Sequence, residues 1–328
     1  MTVNDDPLLD CDDFLLGRSM PGSEQNFAAL ASMVGNTPLL EVHSPAASRG
    51  RLLVKLEGHN PTGSVKDRAC VEMLRAMIRD PRWNPSKTLL DASSGNMGCS
   101  IAYFGKALGI DVHIVSSRKL TSEKRRFMEY FGAAVESIGD FTIEGNRYCR
   151  ELARSDPEKW YFTDQLHNPG NPMAHARGTG PEILSQVPGV AAVIGSIGSG
   201  GTLLGIGRYL KRVNDQVKIL AIEAAPGTRL PGTAALADGD YRTPFIEEGF
   251  ACNIFDLSIQ VSEAEAIDMA RLLAATGVFG GLQTSAVLAG AWRLIRSHDL
   301  RGDMVVISGD TGWKNMDTLT RKVLGGQD

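Results

Sequence analysis

The chain has 328 residues, 43% of them hydrophobic and 22% charged, with a formal net charge of -4. That length carries about two domains or one large α/β unit, and the acidic balance excludes a general nucleic-acid binder. Five scattered cysteines (Cys11, Cys70, Cys99, Cys149, Cys252) without a C-x-x-C pair exclude a disulfide framework and a zinc site and fit reduced, cytoplasmic thiols.

In chain order, residues 1–26 read as an N-terminal extension. Its opening, "MTVNDDPLLDCDDFLLG", is acidic and lacks the positive region of a signal or transit peptide. No apolar run reaches the length of a membrane span. At Asn60–Ala69, "NPTGSVKDRA" sets Lys66 just before a helix with its apolar stripe at Cys70, Met73, Leu74, Met77 and Ile78. A cation there opposes the helix dipole, which depresses its pKa, and a lysine that loses its proton attacks carbonyls. The competing reading is an exposed lysine paired with Asp67 or Glu57.

"KTLLDA" is a strand and leads through "DASSGNMG" into a helix over 97–108. The hydroxyls and N–H groups of Ser93, Ser94 and their neighbours suit a carboxylate, with plain N-capping by Ser94 or Asn96 as the alternative. "DVHIVS" follows, then a helix over 121–131 on which Lys124, Arg125 and Arg126 read as a solvated face, and another over 143–155. "HNPGNP" at 167–172 reads as a junction between two α/β halves. "VAAVIG" leads into "GSIGSGGT", Gly195–Thr202, whose glycines and following helix (202–213) suit a phosphate. It is not a Walker A loop. A dinucleotide fingerprint matches at Gly198 and Gly200 but fails at Leu203, with Glu223, closing the strand "VKILAIE", as its ribose ligand. Helices over 263–276 and 285–297, the strand "DMVVIS" and the loop "SGDTGW" end the series. This alternation predicts parallel sheet in βαβ units, with three polar loops converging at the carboxyl ends of their strands. His59, His113, His167 and His175 have no metal-ligand spacing, and Trp292 and Trp313 read as packing residues.

Taken together, "NPTGSVKDR", "SSGNMG", "GSGGT" and "FGGLQTSA" occur in an order and spacing that resembles the cysteine synthase / cystathionine β-synthase family of fold-type II pyridoxal-phosphate enzymes, over about residues 27–318. The resemblance implies an α/β fold of two domains, each a twisted, mostly parallel sheet with flanking helices, as in the tryptophan synthase β-subunit. It implies a smaller domain over 52–168 and a larger one formed by 27–51 plus 169–328. The cofactor it implies is pyridoxal 5'-phosphate, bound as a Schiff base by Lys66, which is also the base at the substrate Cα. Asn96 matches the asparagine on the ring hydroxyl, and Gly198, Ser199, Gly200, Gly201 and Thr202 match the phosphate cradle. Ser93, Ser94, the Met97 position and Gln165 match the site for the substrate carboxylate.

The activity implied is β-replacement on an activated L-serine through an aminoacrylate, giving cysteine or another β-substituted alanine. Net elimination, as in a desulfhydrase or dehydratase, uses the same residues. A diaminopropionate-type synthase, a non-catalytic member and a nicotinamide oxidoreductase are the further alternatives. Expected partners are a small amino-acid substrate, a sulfur-carrier protein and a second copy in a homodimer, with no nucleic acid and no membrane.

Four departures from the family pattern stand out. Met97 replaces a threonine, which removes one hydroxyl donor from the carboxylate loop. Gln283 stands where a serine faces the pyridine nitrogen, with Thr284 as the other candidate. "IEEGF" brings Glu247 and Glu248, which face either the substrate amine or solvent. "SGDTGWKNMDT" and "EEGF" are similar to the branch that uses O-phosphoserine, but no arginine falls in register there, although Arg229 and Arg242 are near.

Overall fold

The computed structural model describes residues 22–43, 49–93, 95–239, 241–298 and 300–323. The described residues form two sheets, one of six strands and one of four. The elements run α1 (Glu24–Ala31), β1 (Leu39–Val42), β2 (Leu52–Leu56), α2 (Lys66–Ile78), β3 (Thr88–Ala92), α3 (Asn96–Leu108), β4 (Val112–Ser116), α4 (Ser122–Tyr130), β5 (Ala134–Ser137), α5 (Thr142–Ser155) and β6 (Trp160–Phe162). They continue with α6 (Gly170–Ala174), a π turn (His175–Thr179), α7 (Gly180–Gln186), β7 (Val190–Ser196), α8 (Gly201–Val213), β8 (Lys218–Ala224), α9 (Pro244–Ala251), β9 (Leu257–Val261), α10 (Glu263–Thr276), α11 (Leu282–Ser297), β10 (Asp303–Ser308) and α12 (Met316–Val323).

The larger sheet has the order β1-β2-β10-β7-β8-β9, and the smaller β5-β4-β3-β6. All pairings are parallel except that of β1 with β2. The central strands are apolar almost throughout because helices cover both of their faces. On one face of the larger sheet Val54, Ile194 and Ile222 pack with Ala286, Ala291 and Leu294 of α11. One residue along, Leu53, Val193, Ile219 and Val305 point the other way, onto Leu203, Ile206 and Leu210 of α8. The smaller sheet repeats the arrangement. Leu89 and Ile114 meet α1, α2 and α3, while Leu90, Ala92 and Val115 meet Cys149 of α5.

The division expected between the halves differs from the sheets at two points. The predicted smaller unit begins at 52, but β2 pairs with β1 and β10 in the larger sheet. Its run "LLV" is buried on both faces, and the interior position between β1 and β10 supplies that cover. Conversely, α1 begins inside the predicted extension, capped by the Ser23 side chain, and Phe27 packs edge-on against Phe104 of α3, in the smaller half. Cys70, Cys99 and Cys149 are buried and free, Cys252 is exposed, and Cys11 lies outside the described residues. No helix among the described residues is long and apolar enough to cross a membrane.

This topology carries the loops after β3, β7 and β10 toward one another. Helix α6, the π turn and α7 form one rod that packs against α2 on one side and α8 on the other, so the segment bearing Lys66 is fixed relative to the loop ahead of α8.

Candidate active site

Lys66 is the first residue of α2 and is half-buried. It has no hydrogen bond or ion pair among the described residues, and burial pulls its pKa down from 10.5 to about 8. The direction is the expected one. The cause is desolvation, which acts wherever an ammonium is removed from water. The competing pairings are closed off. Asp67 accepts from Thr62 N at 2.7 Å, Thr62 Oγ1 at 2.5 Å and Ser100 Oγ at 2.5 Å. Glu57 accepts from Arg68 Nε at 2.6 Å and Thr37 Oγ1 at 2.8 Å. Arg68 also reaches both oxygens of Glu182 at 2.7 Å, and the fully buried Lys55 pairs with Glu182 at 2.9 Å.

Lys66 lines a narrow cavity with Gly198, Ser199, Gly200, Thr202 and Gln283. Gly200, at φ +83°, turns the chain into α8, and a Cβ there would lie 2.8 Å from Ile246. A Cβ at Gly198 would meet the Gly232 carbonyl at 2.6 Å, and one at Gly201 the Asn171 Oδ1 at 2.3 Å. The backbone is therefore the lining, and the first N–H groups of α8 have no partner within the helix. Two buried residues hold this loop: Asn171, which the sequence reads only within a junction, and His175, which it reads only as lacking metal-ligand spacing. Asn171 donates to the Gln165 carbonyl at 2.9 Å and to Ser199 Oγ at 3.1 Å. His175, in the π turn, lies 3.2 Å from Thr202 Oγ1 and 2.9 Å from Thr179 Oγ1, and burial lowers its pKa, so it is neutral. The signal for Asn171 was in "HNPGNP", which read only as a junction.

The loop after β3 is built on Ser93, whose Oγ accepts from Gly95 N at 3.2 Å and Gly98 N at 2.9 Å. Both acceptances leave the Ser93 proton as a donor. Ser94 lies outside the described residues. Met97 is 2% exposed and its side chain sits in the core with Ile101 and Met128, so this position offers the loop only its backbone. Gln165 is buried and donates to the Ala92 carbonyl at 2.9 Å, which ties the loop after β6 to the end of β3. Asn96 donates to Asp310 Oδ2 at 2.9 Å, while its Oδ1 is buried with no partner. That contact joins the loops after β3 and β10.

Gln283 borders the cavity and donates to Ser196 Oγ at 2.5 Å and the Gly232 carbonyl at 3.1 Å. Thr284 is turned away, bonded to Ser308 Oγ at 2.9 Å and the Asp310 carbonyl at 3.3 Å. Glu247 is exposed and Glu248 pairs with Arg208 on the surface of α9, so of the two readings solvent is the observed one. Arg229 and Arg242 lie over the rings of Phe141 and Phe250. Glu223 accepts from Ser258 through Oε1. Among the described residues no group of three His, Cys, Asp or Glu side chains could hold a metal ion.

Asp91, at the end of β3, is fully buried; burial raises its carboxyl from 3.8 to about 7, and Thr163 Oγ1 donates to it at 2.5 Å. The folded chain therefore holds this proton over a range in which the unfolded chain has released it. Stability from this group is present below about pH 4 and is lost as pH rises through 7. Asp91→Asn is expected to flatten that decline in urea-unfolding free energies measured from pH 4 to 8. An unchanged pH slope would show that the carboxyl is ionised throughout.

A family model described as "Pyridoxal-phosphate dependent enzyme" matches residues 30–310. The chain is 33% identical over 277 residues to cysteine synthase B of Pseudomonas aeruginosa, covering 82% of this chain and 90% of that one. Among solved structures, O-ureido-L-serine synthase aligns with a TM-score of 0.81 at 25% identity, covering 91% of this chain and 96% of the other. O-acetyl serine sulfhydrylase isoform 3 of Entamoeba histolytica aligns with a TM-score of 0.79 at 25% identity, covering 91% and 92%.

Proposed function

The chain belongs to the pyridoxal-phosphate dependent enzymes, and from that premise we propose that it performs β-replacement on an activated L-serine, with Lys66 as its catalytic residue. The residues present fit the cofactor. A desolvated, unpaired lysine suits an aldehyde. A glycine-walled helix start, where any Cβ would collide, suits a phosphate. The buried, partnerless Asn96 Oδ1 suits a ring hydroxyl, and of the two candidates for the pyridine nitrogen Gln283 lines the cavity while Thr284 is bonded elsewhere. Pyridoxal phosphate supplies an electron sink for the bond at the substrate Cα.

The protein's own contribution is placement and proton handling. Burial that lowers the Lys66 pKa to about 8 eases loss of its proton near neutral pH, which suits Nζ to accept the Cα proton. The neutral His175 bonds to Thr202 without adding charge behind the phosphate loop. Ser93 and the first-turn amides of α3 receive the substrate carboxylate, and Gln165 holds that loop to the strand end. A neutral amide at Gln283 does not enforce a protonated pyridine, which suits loss of a β-substituent more than deeper carbanion chemistry.

The observation that carries the reading is the unpaired, desolvated Lys66 on the same cavity wall as the glycine loop. Arg229 and Arg242 lie over Phe141 and Phe250 and neither lines the cavity, so O-acetyl-L-serine, whose leaving group needs no arginine, is the donor proposed. Sulfide or a sulfur-carrier protein as nucleophile, and a cytoplasmic homodimer, complete the proposal on the strength of the resemblance. Titrating the loaded enzyme with O-acetyl-L-serine, O-phospho-L-serine and L-serine tests it. O-acetyl-L-serine is expected to change the cofactor's visible spectrum and, with sulfide, to yield cysteine. Pyruvate formed with no added nucleophile, and no cysteine with it, would make the enzyme an eliminating one.

A further inference from the structure

The cluster Lys124-Arg125-Arg126 does not lie on a uniform solvated face. Arg126 is exposed and Arg125 half-buried, but Lys124 is 6% exposed and turns inward with Met128, one helical turn on. Its Nζ comes within 3.9 Å of where a Cβ on Gly95 would stand, at the head of α3. A buried ammonium carries three donors that need acceptors. Among the described residues the one hydrogen bond from this ammonium goes to Asn315 Oδ1, at a long 3.5 Å. Asn315 is itself 2% exposed, and its Nδ2 is held by Asp310 Oδ2 at 3.1 Å, so its oxygen is left facing Lys124. Lys314, nearby, is already engaged, donating to the Thr62 carbonyl at 2.6 Å. The head of α3 thus has a buried cation beside it with donors to spare, in the loop where Met97 supplies no hydroxyl.

We infer that Lys124 is a substrate-binding residue, its ammonium donating to the α-carboxylate of the amino-acid substrate in the Ser93–Gly98 loop, with Asn315 positioning it. The inference rests on the reading of that loop as the carboxylate site. The donor lost at Met97 is replaced by a stronger, charge-assisted one from a different helix. The ammonium also balances the charge of the carboxylate at a helix start that already favours an anion.

The test compares L-serine with L-serinamide, which lacks the carboxylate, by titrating the holoenzyme and following the bound cofactor's visible spectrum. Lys124→Met is expected to raise the Kd of L-serine about tenfold or more and leave that of L-serinamide unchanged, while Lys124→Arg recovers part of the loss. Ser93→Ala serves as the control for the loop. If Ser93→Ala weakens L-serine selectively and Lys124→Met does not, the lysine assignment falls and the loop reading stands. If neither variant separates the two ligands, the loop reading falls, and the assignment with it. Equal weakening of both ligands by Lys124→Met, or weakening of O-phospho-L-serine alone, would also overturn it. Should Lys124→Met fail to fold, Lys124→Gln supports the same comparison.

Discussion

Lys66→Ala is expected to lower turnover by roughly 10³-fold or more, and to leave cofactor that borohydride no longer fixes to the chain. The size follows from two losses at one atom. No other lysine lines the cavity, so neither the covalent attachment nor the proton acceptor at Cα has a substitute among the described residues. A stability measurement separates this from damage to the fold. The folded pKa of about 8 lies below the ordinary 10.5, so the folded chain disfavours the charged amine, and its presence costs stability below about pH 8. That cost is relieved as pH rises from about 8 to 10.5. The cofactor-free Lys66→Ala protein is therefore expected to be at least as stable as the parent at pH 7, with its advantage shrinking toward pH 10.5. A variant that loses activity and is less stable at pH 7 would place Lys66 in the scaffold. Full turnover together with an unchanged visible spectrum would remove it from the chemistry.

The second large effect is expected two residues on. Arg68→Met should destabilise the chain by about 3–5 kcal/mol, because removing one partner of a buried ion pair leaves the other uncompensated. Glu57 is fully buried and takes two of its hydrogen bonds from Arg68, at 2.6 and 2.9 Å. Glu182, held at about 2, would keep only Lys55 as a charged partner. This cluster bridges β2, α2 and α7, so its loss should also loosen the placement of Lys66. The prediction is a lower urea midpoint, with turnover per folded molecule reduced far less than by Lys66→Ala. The double variant Arg68→Met/Glu57→Gln should be less destabilised than Arg68→Met alone, since the stranded carboxylate is gone. Equal losses in the two would show that packing, and not the unpaired charge, sets the effect.

The parts of this fold legible in the sequence are those where local pattern and tertiary environment agree. The runs "TLLDA", "VAAVIG" and "DMVVIS" are strands because covered parallel strands are apolar on both faces, and the glycine- and serine-rich stretches after two of them are turns into helices. The sequence places β2 in the smaller half, and the larger sheet holds it, because nothing in "LLVKL" reveals which sheet adopts it. Its Lys55 looks like a surface residue until Glu182 and Gln186, contributed from 127 and 131 positions later, are seen to receive it. The candidate site divides in the same way. Lys66 and the glycine loop carry their chemistry in contiguous residues. Asn171, His175, Asp310 and Asn315 are ordinary polar residues whose significance comes from partners on other elements, Ser199, Thr202, Asn96 and Lys124. Lys124 reads as a surface residue because three consecutive basic residues look alike in a string, whereas a helix rotates each by about 100° from the last.

The position of β10 has a consequence for biosynthesis. This last strand fits between β2 and β7, with Arg51 bound to Asp303 across a separation of 252 residues. A ribosome adding about 5–20 residues per second needs roughly 13–50 s to span that interval. The four-stranded sheet, whose strands lie between Thr88 and Phe162, is by then long since synthesised. During the wait β2, and β7 once it is synthesised, present an unpaired apolar edge to other nascent chains. The completed smaller half and the hairpin of β1 with β2 emerge first, and the six-stranded sheet closes only when Asp303–Ser308 has left the tunnel.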